Sequence, residues 1–161
     1  MQTGTYTLDP AHSSIGFTVR HAMVTKVRGE FTDFDATVTI AEEPSASTAS
    51  GTVRTASVDT RNADRDAHVR GEDFFAVEQY PEMTFTATSF DVDAQGNGTV
   101  TGDLTIKDVT RPVTIDFDFA GAAKDPFGNE RIGFEGSMGG NFVRAVPDTA
   151  RMEEAWRGLR R

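Results

Sequence analysis

The stretch VTGDLTIKDVTRPVTIDFDF, from Val100 to Phe119, decides the fold class. Apolar residues or glycine occupy every second position on both sides of a short turn at 107–112, and polar residues fill the positions between them. This period of two is typical of strands with one buried and one solvated face. Since two strands joined by a short turn pair antiparallel, the stretch predicts a β-hairpin.

The same alternation recurs along most of the chain. It is regular over 15–19, and it shifts phase within 27–40, which predicts one long strand with a bulge near Asp33. A similar shift occurs within 83–92. Polar segments that we interpret as loops or turns separate these runs, at 41–51, 93–98 and 121–131, the second with Asn-Gly hairpin chemistry.

About seven or eight antiparallel strands follow from this pattern, so the chain is predicted to be all-β. A sheet of that size curls into a barrel or splits into a sandwich. Long bulged strands with glycine at bends, here Gly29 and Gly102, favour the barrel. A barrel of about eight strands can hold one slender ligand. The residues alone favour a ligand cavity and a core filled by phenylalanine side chains equally.

The segment 60–81 interrupts the alternation and predicts a helical connection. Asn62 can cap a short helix that runs through Arg70, with Gly71 just past its end. Asp73 can cap a further turn. Acidic and arginine side chains crowd this segment, which predicts a salt-bridged, solvated helix face.

The composition changes again near Gly139. Residues 139–161 contain five arginines and three acidic residues, which gives this segment a net charge of +2. Since the whole chain carries −9, the preceding residues carry −11. Met152, Ala155, Trp156 and Leu159 recur at the spacing of one helix face. The sequence therefore predicts a barrel domain over 1–138 and a separate, partly helical C-terminal tail over 139–161.

Charge and composition exclude several classes of function. The negative net charge argues against nucleic acid and anionic membrane surfaces as main partners. The absence of cysteine excludes disulfides, thiolate catalysis and cysteine metal sites. No apolar run is long enough for a spanning helix, and the first residues lack a leader pattern, so the expected location is cytoplasmic.

Asp9, His12 and Ser13 have the side-chain types of a serine-hydrolase relay, but their spacing argues against one. Neighbours on a strand point to opposite faces, and the chain has no G-x-S-x-G elbow. We interpret Asp9 as part of a turn and His12 as a buried polar contact. The three histidines, which include His21 and His68, match no metal-ligand spacing, so no metal site is predicted.

Several motifs together resemble those of one known family. In chain order they are LDPAHSSIGFTVRH, VRGEFTDFDATV, DTRNADRDAHVRGEDFFAVEQYPEMTF, VTGDLTIKDVTRPV and DPFGNERIGFEG. This order and spacing, over about residues 5–138, resemble the YceI-like family of polyisoprenoid-binding proteins.

The resemblance implies a lipocalin-like β-barrel with a long apolar tunnel for a polyisoprenoid tail, such as that of a quinone or a polyprenyl diphosphate. It implies neither catalysis nor a cofactor other than the bound lipid. The inward positions of the matched strands would line the tunnel: Phe17, Val19, Phe31, Phe34, Phe85, Leu104, Ile106, Ile115, Phe117 and Phe134. Phe74, Phe75 and Met83 would wall or gate one end, and His12 and Arg20 would contact a polar head group.

The chain departs from the family pattern after the FEG-like strand, where a closing strand is replaced by the tail. An open barrel exposes unpaired strand edges. Either Met152, Trp156 and Leu159 pack over the gap, or two chains complete each other as a homodimer. Two other functions stay open: an enzyme, hydrolase or isomerase, that uses His12 in the same cavity, and a ligand-free interaction module with an open sheet edge.

Overall fold

The computed structural model describes residues 3–9, 13–21, 25–72, 74–124, 126–128 and 130–137, with the backbone alone at 18–21, 25–27 and 130. Within these ranges the chain forms one α-helix, two single-turn 3₁₀ helices at Pro44–Ala46 and Thr55–Ser57, and ten strands. The helix α1 is Ala63–Arg70. The strands are β1 Gly4–Thr7, β2 Ile15–His21, β3 Thr25–Phe31, β4 Phe34–Ile40, β5 Thr48–Arg54, β6 Val58–Asp59, β7 Glu82–Val92, β8 Gly98–Ile106, β9 Val109–Lys124 and β10 Glu130–Ser137.

The all-β prediction is confirmed, and the strands form two antiparallel sheets. Seven of them pair in the order β1-β4-β5-β7-β8-β9-β10, and this sheet curls strongly into a half-barrel. The other three pair in the order β2-β3-β6. An ion pair of 2.6 Å between Asp9, which follows β1, and Arg131 on β10 links the two edges of the large sheet.

The register of the large sheet places its apolar side chains on the concave face. Phe34 pairs with Val53, and Val53 pairs with Met83, so the three buried side chains form one row across β4, β5 and β7. Phe31 of β3 and Val58 of β6 belong to the same core, so the small sheet packs into one end of the half-barrel. Burying each such side chain contributes about 1.5–3 kcal/mol.

The predicted single bulged strand over 27–40 is wrong. β3 and β4 lie in different sheets, and the chain crosses between the sheets at Thr32 and Asp33. The Thr32 amide donates to the Ser57 carbonyl at 3.3 Å, and the Arg54 amide donates to the Asp33 carbonyl at 2.9 Å. The phase shift in the apolar pattern therefore records a change of sheet, because each sheet buries its own face.

The phase shift in β7 does mark a bulge, since its register with β8 slips between Ala87 and Ser89. The turn at 93–98 is also confirmed, although its left-handed residue is Gly96, with a φ of 88°. The loops expected at 41–51 and 121–131 are shorter than predicted. β5 already begins at Thr48. β9 continues to Lys124, and β10 begins at Glu130.

The predicted helix is confirmed at both ends. The Asn62 side chain accepts a hydrogen bond from the Arg65 amide at 3.0 Å, and Gly71 caps the C-terminus with a φ of −73°, outside the left-handed region. Asp73, expected to cap a further turn, lies outside the described residues.

The described charged groups of this segment bind backbone and threonine groups of residues 56–60, and Asp73, which the predicted salt-bridged face included, lies outside the described residues. Arg65 donates to the Thr60 carbonyl at 2.7 Å, and Arg70 donates to the Ala56 and Val58 carbonyls, both at 2.9 Å. Asp66 is buried and accepts hydrogen bonds from the Thr60 amide, at 2.7 Å, and from the Thr60 hydroxyl. These contacts, which we call the helix clamp, fasten α1 to β6 and the residues around it.

Two predictions fall on parts of the chain outside this description. The tail 139–161 and its amphipathic face are among the residues left undescribed, so the domain boundary stays a prediction.

Among the described residues, no helix is long and apolar enough to cross a membrane.

Replacing Asp66 with alanine should lower the free energy of unfolding by about 1–3 kcal/mol, because the buried Thr60 amide and hydroxyl lose their acceptor. Urea denaturation at neutral pH measures this loss. Asp64→Ala, an exposed acid in the same first helical turn, is the matched control and should change stability far less. Equal losses in the two variants would contradict the clamp.

The stabilisation from Asp66 should also depend on pH. Hydrogen bonding from Thr60 lowers the pKa of the Asp66 carboxyl below its ordinary value of 3.8, with Arg70 and Arg65 adding to the effect against burial. A lowered pKa gives stability that is fully present above about pH 4 and is lost as the pH falls through the folded-state pKa. The stability difference between wild type and Asp66→Ala should therefore shrink in acid.

Candidate functional site

A cavity of about 940 Å³ lies between the concave face of the large sheet and the strands β2 and β3. Its volume is within the range of small-molecule sites. Half of the residues around it are apolar, and several others are glycine. Ser14, Arg28 and Ser137 also line the cavity and are exposed, so they mark its rim.

The cavity exists because the concave face carries small residues in one layer. Ala36 of β4 pairs with Gly51 of β5, and Ala49 is the inward residue of β5 that precedes Gly51. The adjacent inward row holds Phe34, Val53 and Met83 and is filled. The half-barrel thus has a packed layer next to a hollow one.

Two phenylalanine rings in the cavity wall lie directly over glycine backbones. A Cβ at Gly29 would lie 2.2 Å from the ring of Phe17, its cross-strand partner. A Cβ at Gly102 would lie 2.5 Å from both the ring of Phe85 and the Thr86 carbonyl oxygen. The missing side chains let each ring lie flat against the neighbouring strand, which fixes the position of the wall.

The structure places six of the predicted tunnel residues around the cavity: Phe17, Phe31, Met83, Phe85, Leu104 and Ile115. Phe34, Phe75 and Ile106 are instead fully packed in the core, with exposures of 6%, 2% and 0%. Phe74 is half-buried, and its ring meets that of His68 edge-on at 4.9 Å. The proposed gating by Phe74 and Phe75 stays a prediction.

Phe117 and Phe134 form an aromatic cluster with Phe119 in the middle of β9 and β10. The ring of Phe134 lies 5.6 Å from that of Phe117 and 5.5 Å from that of Phe119. Phe117 follows Ile115, which lines the cavity, at the next inward position, so the cluster continues the concave face beyond the cavity. Phe134 is 40% exposed.

Three predicted contacts cannot be placed. His12 lies outside the described residues, and only the strand backbone of Val19 and Arg20 is described. Of the candidate relay, Asp9 is engaged in the ion pair with Arg131. The sequence interpretation also missed Ala36, Ala49 and Gly51, which line the cavity; their signal is small size at inward positions of otherwise bulky strands.

Two charged residues, Arg28 and Asp35, are among those that line the cavity. Arg54 donates to the Asp35 carboxylate at 2.7 Å on the exposed side of the sheet, and this contact raises the pKa of Arg54. Asp116, Asp118 and Glu135 line a shallow acidic pocket of about 280 Å³ that shares Gly136 and Ser137 with the main cavity. In the part of the chain that the structure describes, no group of three or more histidine or acidic side chains is arranged to hold a metal ion.

Comparisons with known proteins agree on one family. Residues 6–145 match the YceI-like domain. The UPF0312 protein of Ectopseudomonas mendocina is 42% identical over 127 residues, which are 78% of this chain and 66% of that relative. The chain thus spans just under two thirds of the length of this curated relative.

Two solved structures are similar to this chain. The YCEI protein of Campylobacter jejuni is 39% identical with a TM-score of 0.62, over 80% of this chain and 76% of that one. A polyisoprenoid binding domain from Saccharophagus degradans is 16% identical with a TM-score of 0.53, over 71% and 68% of the two chains, and shares the fold.

Gly102→Ala should destabilise the protein by about 1–3 kcal/mol, because the added methyl group meets a backbone carbonyl as well as the Phe85 ring. Gly133→Ala is the matched control, since a Cβ there makes an ordinary 3.5 Å contact with Ala120. Thermal or urea unfolding of both variants measures the difference. If the two variants were equally stable, Gly102 would not be needed for the placement of Phe85.

Proposed function

We propose, since this chain belongs to the family of YceI-like domains, that it binds a long-chain isoprenoid-type lipid and carries or stores it. The observation that supports this most directly is the apolar cavity of about 940 Å³ between the two sheets. The fold neighbour from Saccharophagus degradans is itself a polyisoprenoid binding domain, and the proposal extends that ligand class to this chain.

An isoprenoid tail suits this cavity on energetic grounds. Each buried CH₂-sized group contributes about 0.8 kcal/mol, so each five-carbon unit contributes about 4 kcal/mol before the cost of association. Association costs about 4–15 kcal/mol, so a few buried units give stable binding with few polar contacts. The phenylalanine rings and Met83 provide the apolar contact, and the small residues Ala36, Ala49 and Gly51 provide the space.

The head group would lie at the rim, where the lining residues are polar and exposed. Ser14, just before β2, offers a hydroxyl, and Arg28 of β3 offers a cation. Such groups suit either a quinone carbonyl or a diphosphate, the two head groups that we propose as candidates. The role proposed is binding without turnover, and a lining made mostly of apolar residues and glycine supports it.

Protein purified from cells under mild conditions should release an apolar ligand when it is denatured, and mass spectrometry of the organic extract should identify its tail. The emptied protein should enhance the emission of dansyl-labelled undecanoic acid, and geranylgeraniol should displace that probe. A chain that yields no extractable lipid and takes up no probe would contradict the proposed function.

Ala49→Phe should weaken probe binding about tenfold or more, a change of at least about 1.4 kcal/mol, because the new ring occupies space in the hollow layer. Thr48→Phe makes the same substitution at the neighbouring exposed position of β5 and should leave the affinity near that of wild type. Fluorescence titration compares the two variants. Equal affinities would place the binding site elsewhere.

A further inference from the structure

β9 and β10 continue past the start of β8 as a two-stranded ribbon. β8 begins at Gly98, which pairs with Phe117 of β9, whereas β9 itself runs on to Lys124. Beyond Phe117 the two strands stay paired as far as Lys124 and Glu130. At about 3.3 Å per residue, the ribbon extends roughly 20 Å past the start of β8.

Polar contacts fix the ribbon on both of its sides. The Phe119 amide of β9 donates to the Asn97 side-chain oxygen at 2.8 Å, and Arg131 of β10 donates to the Asp9 carboxylate at 2.6 Å. The ribbon is thus held against the turn that follows β7 and against the segment that follows β1. The fold therefore sets the position of the ribbon relative to the cavity.

The inner face of the ribbon continues the wall of the cavity. Ile115 of β9 lines the cavity. The rings of Phe117, Phe119 and Phe134 cluster at the next inward positions, with centroids 5.5–5.6 Å apart. Ile132 is half-buried and lies two positions further along β10 towards the turn. An apolar surface therefore runs from the cavity along the ribbon.

The cavity lies between the packed core and the base of the ribbon. Along β8, Ile106 is fully buried in the core, and Leu104, two positions earlier, lines the cavity. Gly98, at the start of the same strand, pairs with Phe117 of the ribbon. A slender molecule that leaves the cavity on the side away from the packed core would therefore pass along the aromatic face.

The turn that joins the two strands presents a phenylalanine to solvent. Phe127 is 88% exposed, and Gly128 beside it has a φ of 85°, a left-handed conformation that suits glycine in a tight turn. Phenylalanine is among the side chains that proteins bury at the boundary between lipid head groups and acyl chains. Such burial removes a large apolar area from water.

The charge of the ribbon indicates which kind of bilayer it fits. Asp116, Asp118 and Glu135 are exposed on its outer face, and the whole chain carries a net charge of −9. These charges repel an anionic lipid surface. A zwitterionic surface imposes no such penalty, so the exposed ring and the acidic outer face are compatible on it.

We propose that the turn of the β9-β10 ribbon docks on a zwitterionic lipid bilayer through Phe127, and that the aromatic face of the ribbon guides lipid between the bilayer and the cavity. The docking is argued from the exposed ring and the fixed position of the ribbon. The guidance rests on the proposed function, because it requires that the cavity takes up a lipid.

Flotation of the full chain with phosphatidylcholine vesicles tests the docking. Wild type should float with the vesicles, and Phe127→Ser should lower the partition coefficient about tenfold or more, because burial of the ring is lost. Phe127→Trp keeps an aromatic ring suited to the interface and should restore flotation. Vesicles that contain phosphatidylglycerol should bind wild type more weakly than pure phosphatidylcholine does.

Equal flotation of wild type and Phe127→Ser would overturn the docking, and so would a wild type that does not float. Stronger binding to phosphatidylglycerol vesicles that high salt abolishes would also overturn it, because the contact would then be electrostatic. Thermal unfolding verifies that each variant is folded, and a change at so exposed a side chain should alter stability little.

Uptake of tritiated geranylgeraniol from phosphatidylcholine vesicles tests the guidance. The vesicles are removed at set times, and the label bound to protein is counted. Phe127→Ser should slow the initial uptake severalfold. Adding Asp108→Phe to this variant places a ring in the turn at the opposite end of β9 and should not restore the rate.

Binding of dansyl-labelled undecanoic acid from solution separates this proposal from the proposed function. Its affinity should be the same in wild type and Phe127→Ser, since Phe127 lies in the turn, outside the described lining of the cavity. Binding of that probe with equal rates of vesicle uptake in the two proteins counts against the guidance alone. Flotation that depends on Phe127, without any probe binding, counts against lipid binding in the cavity and leaves the docking in place.

Discussion

The structure depends on one constraint: strands that are apolar on one side only must bury that side together. A seven-stranded antiparallel sheet satisfies this by curling, so that its apolar side becomes concave. Curling alone leaves the face open to water, and the small sheet β2-β3-β6 packs over it through Phe31 and Val58. The cavity is the part of this interface where Ala36, Ala49 and Gly51 leave the space unfilled.

The helix clamp has a functional meaning within this arrangement. β6 has only two residues, and it is the strand that joins β3 to the connection before α1. Arg70 binds the carbonyls on both sides of Ser57, at Ala56 and Val58, and Asp66 holds the backbone amide of Thr60. The clamp therefore supports the strand pair that covers the cavity, although none of its residues lines the cavity itself.

The sequence was sufficient for the long alternating strands and the helix, but not for β1, β5 and β6 or for the sheets that the strands join. Alternation predicts which residues share a face, and it did so for β7, β8 and β9. It contains no information on partners across a loop, so the change of sheet at Thr32 and Asp33 resembled a bulge. The residues that line the cavity were harder to predict from the sequence. Alternation places Phe34 and Phe85 at inward positions alike, and only the structure shows that Phe34 is buried in the core whereas Phe85 lines the cavity.

The ion pair between Asp9 and Arg131 has a consequence for how the molecule assembles. The two residues are 122 positions apart, and they join the first and last strands of the large sheet. Contacts between distant segments carry a larger loop-closure entropy than those within hairpins, and topologies rich in them fold slowly. We infer that the β7-β8-β9-β10 meander forms early from local hairpins and that the seam closes late. Until then the apolar concave face is accessible along its whole length, so a slender ligand present during folding could be enclosed rather than threaded in.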